Sequence, residues 1–130
     1  MSEIFSHRSQ IKTALYAQQK GRCALSGTRT NSLEMHEWLV ARSDYPIKRD
    51  QIKIFHPINC VLITRYEHES AGMDRDYRCL LFKLKTHSVD EMQEWLNSIS
   101  LRTFGTLESW IFRHEARLSI PAEGSVWKTK

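Results

Sequence analysis

Apolar residues fall along this chain in short, separated runs rather than in one long block. In SHRSQIKTALYAQQK, residues 6–20, Ile11, Ala14 and Leu15 recur at helical spacing and Gln18 extends the stripe, with Gly21 placed as a stop. The pattern predicts a helix over 6–20. CALSGTRTNS, 23–32, is dense in turn formers and predicts a loop or hairpin. LEMHEWLVA, 33–41, is short and apolar between turn signals, which predicts a strand. Polar residues 42–52 follow, with Pro46 among them. IKIFHPINCVLIT, 52–64, predicts a strand, a turn at Pro57 and a second strand. RYEHESAG, 65–72, predicts the start of a helix that closes at Gly72.

Farther along, YRCLLFKLK, 77–85, fits strand and helix equally well. Ser88 and Glu91 form the S-x-x-E pattern of a capping box, opening a helix with Met92, Trp95, Leu96 and Ile99 on one face. Thr106 caps another, striped by Leu107, Trp110, Ile111 and Leu118 and ended by Pro121. Such Trp-bearing stripes are more often core than binding surface. AEGSVWKTK is expected to be a frayed tail.

Predicted strands confined to the middle of the chain, with helices on either side, give an α+β class. At 130 residues this is most simply a single domain, 1–130, with a helical extension over 86–118 and a tail over 119–130. No apolar run approaches the ~20 residues of a membrane span, and MSEIFSHRSQ is too polar for a signal peptide. A cytoplasmic location is therefore expected, with no membrane partner. Cys23, Cys60 and Cys79 are odd in number and lack CxxC spacing, which argues for inert thiols over a disulfide framework.

Charge changes the picture only at the N-terminal end. Residues 1–30 hold Arg8, Lys12, Lys20, Arg22 and Arg29 against Glu3 alone, and beyond them the charges balance at 14 each. The whole +4 excess therefore sits in the first 30 residues. A basic face of this kind suits nucleic acid, and a solvated helix surface is the plainer reading.

Candidate chemistry lies in two otherwise apolar stretches. LEMHEW, 33–38, sets His36 between Glu34 and Glu37, and NCVLITRYEHE, 59–69, sets Asn59 nine positions before His68. Singly, His36 reads as a core histidine, His68 as a surface residue and Asn59 as a turn residue. In a regular strand Glu34 and His36 share a face, whereas His36 and Glu37 meet only where the strand ends or bulges. His7, His56, His87 and His114 have no comparable context.

The order of a strand with His, a loop ending in Asn and a helix with His resembles the HNH (ββα-metal, or His-Me finger) endonucleases, especially small bacteriophage HNH proteins. LEMHEW, Asn59 in INCVLI, His68, and GRCALSG carry the likeness, which covers about residues 15–80. It implies a ββα-metal core flanked by an N-terminal helix and C-terminal helices. The implied activity is metal-dependent hydrolysis of DNA phosphodiester bonds, by nicking or double-strand cutting, with an origin in a phage or mobile element. A bacterial host's cytoplasm would then be its location.

Carried onto this chain, the resemblance makes Asn59 the residue that orders the loop and His68 the helix-borne metal ligand. His36 and Glu37 share the remaining roles. In one assignment His36 is the general base and Glu37 or Glu34 ligates the metal. In the other His36 ligates and Glu37 is the base. The first is favoured, since carboxylate is the harder ligand for Mg²⁺ or Mn²⁺ and imidazole the better base near neutrality. Ni²⁺ or Zn²⁺ could also serve at the active site. Ser26 and Glu67 stand where zinc-bearing members place thiolates, so no structural zinc is expected. Lys12, Lys20, Arg22, Arg29, Arg65, Arg75 and Arg78 are candidate contacts to the phosphates of double-stranded DNA. The rival readings are a non-catalytic nucleic-acid-binding module on the same scaffold, a metal-dependent RNase, and an interaction protein that recruits a partner through its C-terminal helices.

Overall fold

The structure, a computed structural model, describes residues 3–41, 52–70, 73–99 and 105–129. The order is α1 (Glu3–Gln18), β1 (Glu34–Glu37), β2 (Cys60–Ile63), α2 (Arg65–Glu69), α3 (Met73–Lys83), α4 (Val89–Ile99) and α5 (Leu107–Arg117), followed by 3-10 turns at Ala122–Gly124 and Val126–Thr129. This is the expected α+β arrangement. The chain divides into two compact units, Met1–Ala71 and Gly72–Lys130. Among the described residues no helix is long and apolar enough to cross a membrane.

The first unit is built on a two-stranded antiparallel sheet with Glu34 opposite Ile63, Met35 opposite Leu62, His36 opposite Val61 and Glu37 opposite Cys60. All four residues of β2 are buried, as suits a strand covered on both faces. Gln19 completes that strand. Its Oε1 accepts from the Leu62 N–H at 3.0 Å and its Nε2 donates to the Leu62 carbonyl at 2.9 Å. A side-chain amide thus stands in for a third strand at Leu62, taking its buried N–H and sharing its carbonyl with the Ala24 N–H at 3.0 Å.

α1 departs from the expected stripe. Leu15 is buried, but Ala14 and Gln18 are exposed, and the buried polar residue is Gln19, the first residue beyond the helix end. The stop is left-handed: Lys20 and Gly21 have φ of 56° and 70°, and the Gly21 N–H returns to the Tyr16 carbonyl at 3.0 Å.

The segment before Pro57 is a 3-10 turn over 52–54 and not the expected strand. The Ile54 carbonyl is taken by the Asn59 side chain at 2.9 Å rather than by a neighbouring strand. The Pro57 turn is present, with the Asn59 N–H donating to the His56 carbonyl at 2.9 Å. α2 starts directly after β2 on Thr64, whose Oγ1 accepts from the Glu67 N–H at 3.3 Å. It stops at Glu69, and the stop expected at Gly72 lies outside the described residues, as does the polar stretch with Pro46.

In the second unit α3 resolves the ambiguous 77–85 segment as helix. The capping box of α4 forms in both directions: the Glu91 N–H donates to Ser88 Oγ at 3.0 Å, and the Ser88 N–H donates to Glu91 Oε1 at 2.8 Å. Met92, Trp95, Leu96 and Ile99 are buried, and so are Leu107, Trp110 and Ile111 on α5 beyond its Thr106 cap. Leu118 is the C-cap and only half-buried.

The C-terminal segment is packed where a frayed tail was expected. Glu115, 3% exposed on α5, accepts through Oε2 from the Tyr77 hydroxyl at 2.7 Å and from the Val126 N–H at 2.9 Å. The Phe112 and Trp127 rings meet edge-on with centroids 6.4 Å apart. One buried carboxylate therefore ties α3, α5 and the tail together.

Candidate functional site

Asn59 is 0% exposed, at the mouth of β2. Its Oδ1 accepts from the N–H groups of Leu39 at 3.2 Å and Val40 at 2.8 Å, and its Nδ2 donates to the carbonyls of Val40 and Ile54, both at 2.9 Å. The amide makes all four hydrogen bonds it can make. Beside it the Trp38 N–H donates to the Asn59 carbonyl at 3.0 Å and the Trp38 indole to the Ile58 carbonyl at 2.8 Å. The chain leaving β1 is thus clasped to the chain entering β2, and this fixes the register that sets His36 against Val61.

Because β1 is regular, Glu34 and His36 project from one face of it, over the apolar pairs Ile63 and Val61. The step from β2 through the Thr64 cap into α2 brings His68 to that face. His68 Nδ1 donates to Glu34 Oε1 at 2.7 Å, and the rings of His36 and His68 lie with centroids 5.0 Å apart. Glu34, His36 and His68 are therefore together, and Asn59 holds the strands that carry them.

Glu37 is not brought to this group. β1 stays paired through Glu37, opposite Cys60, with no bulge, so Glu37 projects from the face of Met35. Of the carboxylates considered from the sequence, Glu34 is the one beside the histidines.

The hydrogen bond from His68 holds the Glu34 carboxyl below the usual carboxylate range, aided by the charges of His68, Arg65 and Lys12. Arg65 Nε donates to Glu69 Oε1 at 2.9 Å and stands 3.9 Å from Glu34 Oε2. Glu34 thus offers an oxygen atom and His68 a ring nitrogen beside the His36 ring.

The remaining basic candidates divide by setting. Lys12, Lys20, Arg22 and Arg29 are exposed in the first unit, with an Arg22 guanidinium N–H on the Gly27 carbonyl at 3.2 Å. Arg75 and Arg78 lie on α3 in the second unit, both half-buried, and Arg75 Nε donates to Asp76 Oδ1 at 3.1 Å. Their suitability as phosphate contacts is correspondingly lower.

The Cys23 turn also has a definite job. Its Sγ accepts from the N–H groups of Ser26 at 3.5 Å and Thr64 at 3.4 Å, and Ser26 Oγ donates to Thr28 Oγ1 at 3.0 Å. Burial alone would raise the thiol's pKa, but the hydrogen bonds from Ser26, Thr64 and Leu25 outweigh it and lower the pKa. Cys23 thereby docks the 23–28 turn on the start of α2, close to His68 in sequence. His7, His56 and His114 bond nearby backbone: His7 Nε2 donates to the Phe55 carbonyl, His56 Nδ1 accepts from Ile58, and His114 Nδ1 donates to Trp110.

Sequence reasoning missed Gln19 and the docking role of Cys23. A Gln or Cys that binds one particular backbone group across the fold leaves no periodic trace. Compared with known proteins, the chain matches no family model, no curated protein and no solved structure.

Proposed function

We propose that the chain is a metal-dependent endonuclease of the HNH, or ββα-metal, type that hydrolyses phosphodiester bonds of double-stranded DNA. The observation that carries this reading is the meeting of Glu34 and His68 at 2.7 Å beside the His36 ring, on a sheet clasped by Asn59. Residues far apart in sequence converge there with the order and chemistry that the resemblance implies.

In this reading Glu34 and His68 would hold a divalent cation. The ion would neutralise charge developing on the phosphate and the leaving oxygen. His36 removes the proton from the attacking water, which suits an imidazole with an unperturbed pKa of ~6.5. The half-buried face over Val61 and Ile63 limits the freedom of the His36 ring, and Asn59 acts at one remove by holding the strand in register. Arg65 and the exposed basic residues of the N-terminal segment contact the backbone of the duplex and position it without reading sequence.

Glu37 has no catalytic part, because its face is the wrong one. A supercoiled plasmid incubated with the protein and Mg²⁺, Mn²⁺ or Ni²⁺ should be nicked or linearised, and chelator should stop the reaction. RNA offered in parallel should be cut far more slowly. Binding without cleavage under every metal would identify a nucleic-acid-binding module instead.

A further inference from the structure

α1 presents a basic hollow that the catalytic face does not use. A cavity of about 270 Å³ is lined by Arg8, Ser9, Lys12 and Met35. A second hollow of about 280 Å³ shares Ser9 and Lys12 and adds Thr13 and Tyr16. Arg8 and Lys12 are one helical turn apart, so their side chains are neighbours on one face of the helix.

Arg8 is held ready there. Its guanidinium sits over the Phe55 ring, 5.1 Å from the centroid, while His7 next to it bonds the Phe55 carbonyl. The Arg8 Nε is shut off from solvent and makes no hydrogen bond among the described residues. A planar guanidinium fork suits a phosphate oxygen, and Arg8 lines the hollow with it. Lys12 adds a second positive charge and Ser9 a hydroxyl donor. No Asp or Glu is among the described residues lining either hollow. Met35 ties the first hollow to the site, since it lies between Glu34 and His36 on β1 and projects from the other face.

We propose that Arg8, Ser9 and Lys12 form a binding site for a backbone phosphate of duplex DNA other than the one being cleaved. This rests on the reading of the protein as a DNA-binding nuclease and assigns Arg8 a part in it. The site supplies affinity and fixes where the strand crosses β1, and it carries no sequence information.

The test is binding of the full chain to a short fluorescent DNA duplex in chelator, across a salt series, so that cleavage plays no part. Arg8→Gln and Lys12→Gln should each weaken binding and reduce the slope of log affinity against log salt by about 0.9, the value of one phosphate contact. Arg8→Lys should keep most of the slope and still bind more weakly than Arg, because the fork is lost. Arg113→Gln, an exposed change on α5, should leave the slope as it is.

If Arg8→Gln fails to fold by circular dichroism, Lys12→Gln on the exposed helix surface decides the question. Unchanged slopes in the folded variants would overturn the proposal, as would an equal fall in Arg113→Gln, which would indicate net charge alone. A chain that shows the expected slopes yet cuts no plasmid would refute the hydrolase and leave this phosphate site standing.

Discussion

His68 donates from Nδ1 to Glu34 Oε1 at 2.7 Å, joining α2 to the first residue of β1. The contact exists because β2 runs straight into the Thr64 cap and because Asn59 fixes the register of the two strands. Local helix capping and one buried amide therefore decide which side chains meet.

The clasp should be severe to remove. Asn59→Ala would leave the N–H groups of Leu39 and Val40 and the Val40 carbonyl without their partner and take one of two N–H donors from the Ile54 carbonyl. At about 1–3 kcal/mol for each buried group left unsatisfied, the loss should reach at least ~3 kcal/mol even with relaxation. Urea unfolding followed by Trp fluorescence measures it. Asn59→Asp should also destabilise, since a carboxylate cannot donate to the two carbonyls.

Metal binding should separate the carboxylates. Glu34→Gln and His68→Ala should each weaken Mn²⁺ binding by an order of magnitude or more, because the first removes the carboxylate charge and the second the ring nitrogen. Glu37→Gln should bind Mn²⁺ as the unmutated chain does, since Glu37 projects from the opposite face. Titration calorimetry with Mn²⁺ reads all three. Weakening by Glu37→Gln alone would return Glu37 to the site and remove Glu34 from it.

The second unit offers a test through pH. Burial, then the hydrogen bond to Glu115, pushes the Tyr77 phenol well above its ordinary value of 10.0. The unfolded chain ionises Tyr77 near pH ~10 while the folded chain keeps it neutral. The stability from this group is therefore fully present below that pH and is lost as pH rises beyond it. Tyr77→Phe should cost about 1–3 kcal/mol at neutral pH by depriving Glu115 of its O–H donor. The gap between variant and unmutated chain should narrow above pH ~10. Thermal unfolding of both chains from pH 7 to 11 checks the sign, and a gap that widens with pH would contradict it.

Local rules carried the reading of the sequence farthest. The Ser88–Glu91 box, the Thr106 cap and the Pro57 turn are set by residues within three positions of one another, and each formed where the sequence put it. The strands β1 and β2 followed from apolar runs, and the approach of His68 to His36 from the Asn59–His68 spacing and the resemblance it carries. What the sequence could not display were contacts made once and at long range. Gln19 at Leu62, Cys23 at Thr64 and Glu115 at Val126 each bond particular backbone groups across the fold, and such a bond has no period. Glu37 shows how little adjacency in sequence says about a shared face. It adjoins His36 in sequence, but strand alternation turns the two apart, and Glu34, two positions back, shares the face.

Plasmid nicking in Mn²⁺ by the unmutated chain and by His36→Ala tests the central claim most directly. The unmutated chain should convert supercoiled plasmid to open or linear forms. His36→Ala should do so roughly 10²–10⁴-fold more slowly, the range that general-base catalysis contributes. It should still bind Mn²⁺ through Glu34 and His68 and still bind the duplex. Equal nicking rates for the two proteins, or no metal-dependent nicking by the unmutated chain, would contradict the assignment of this face as a nuclease site.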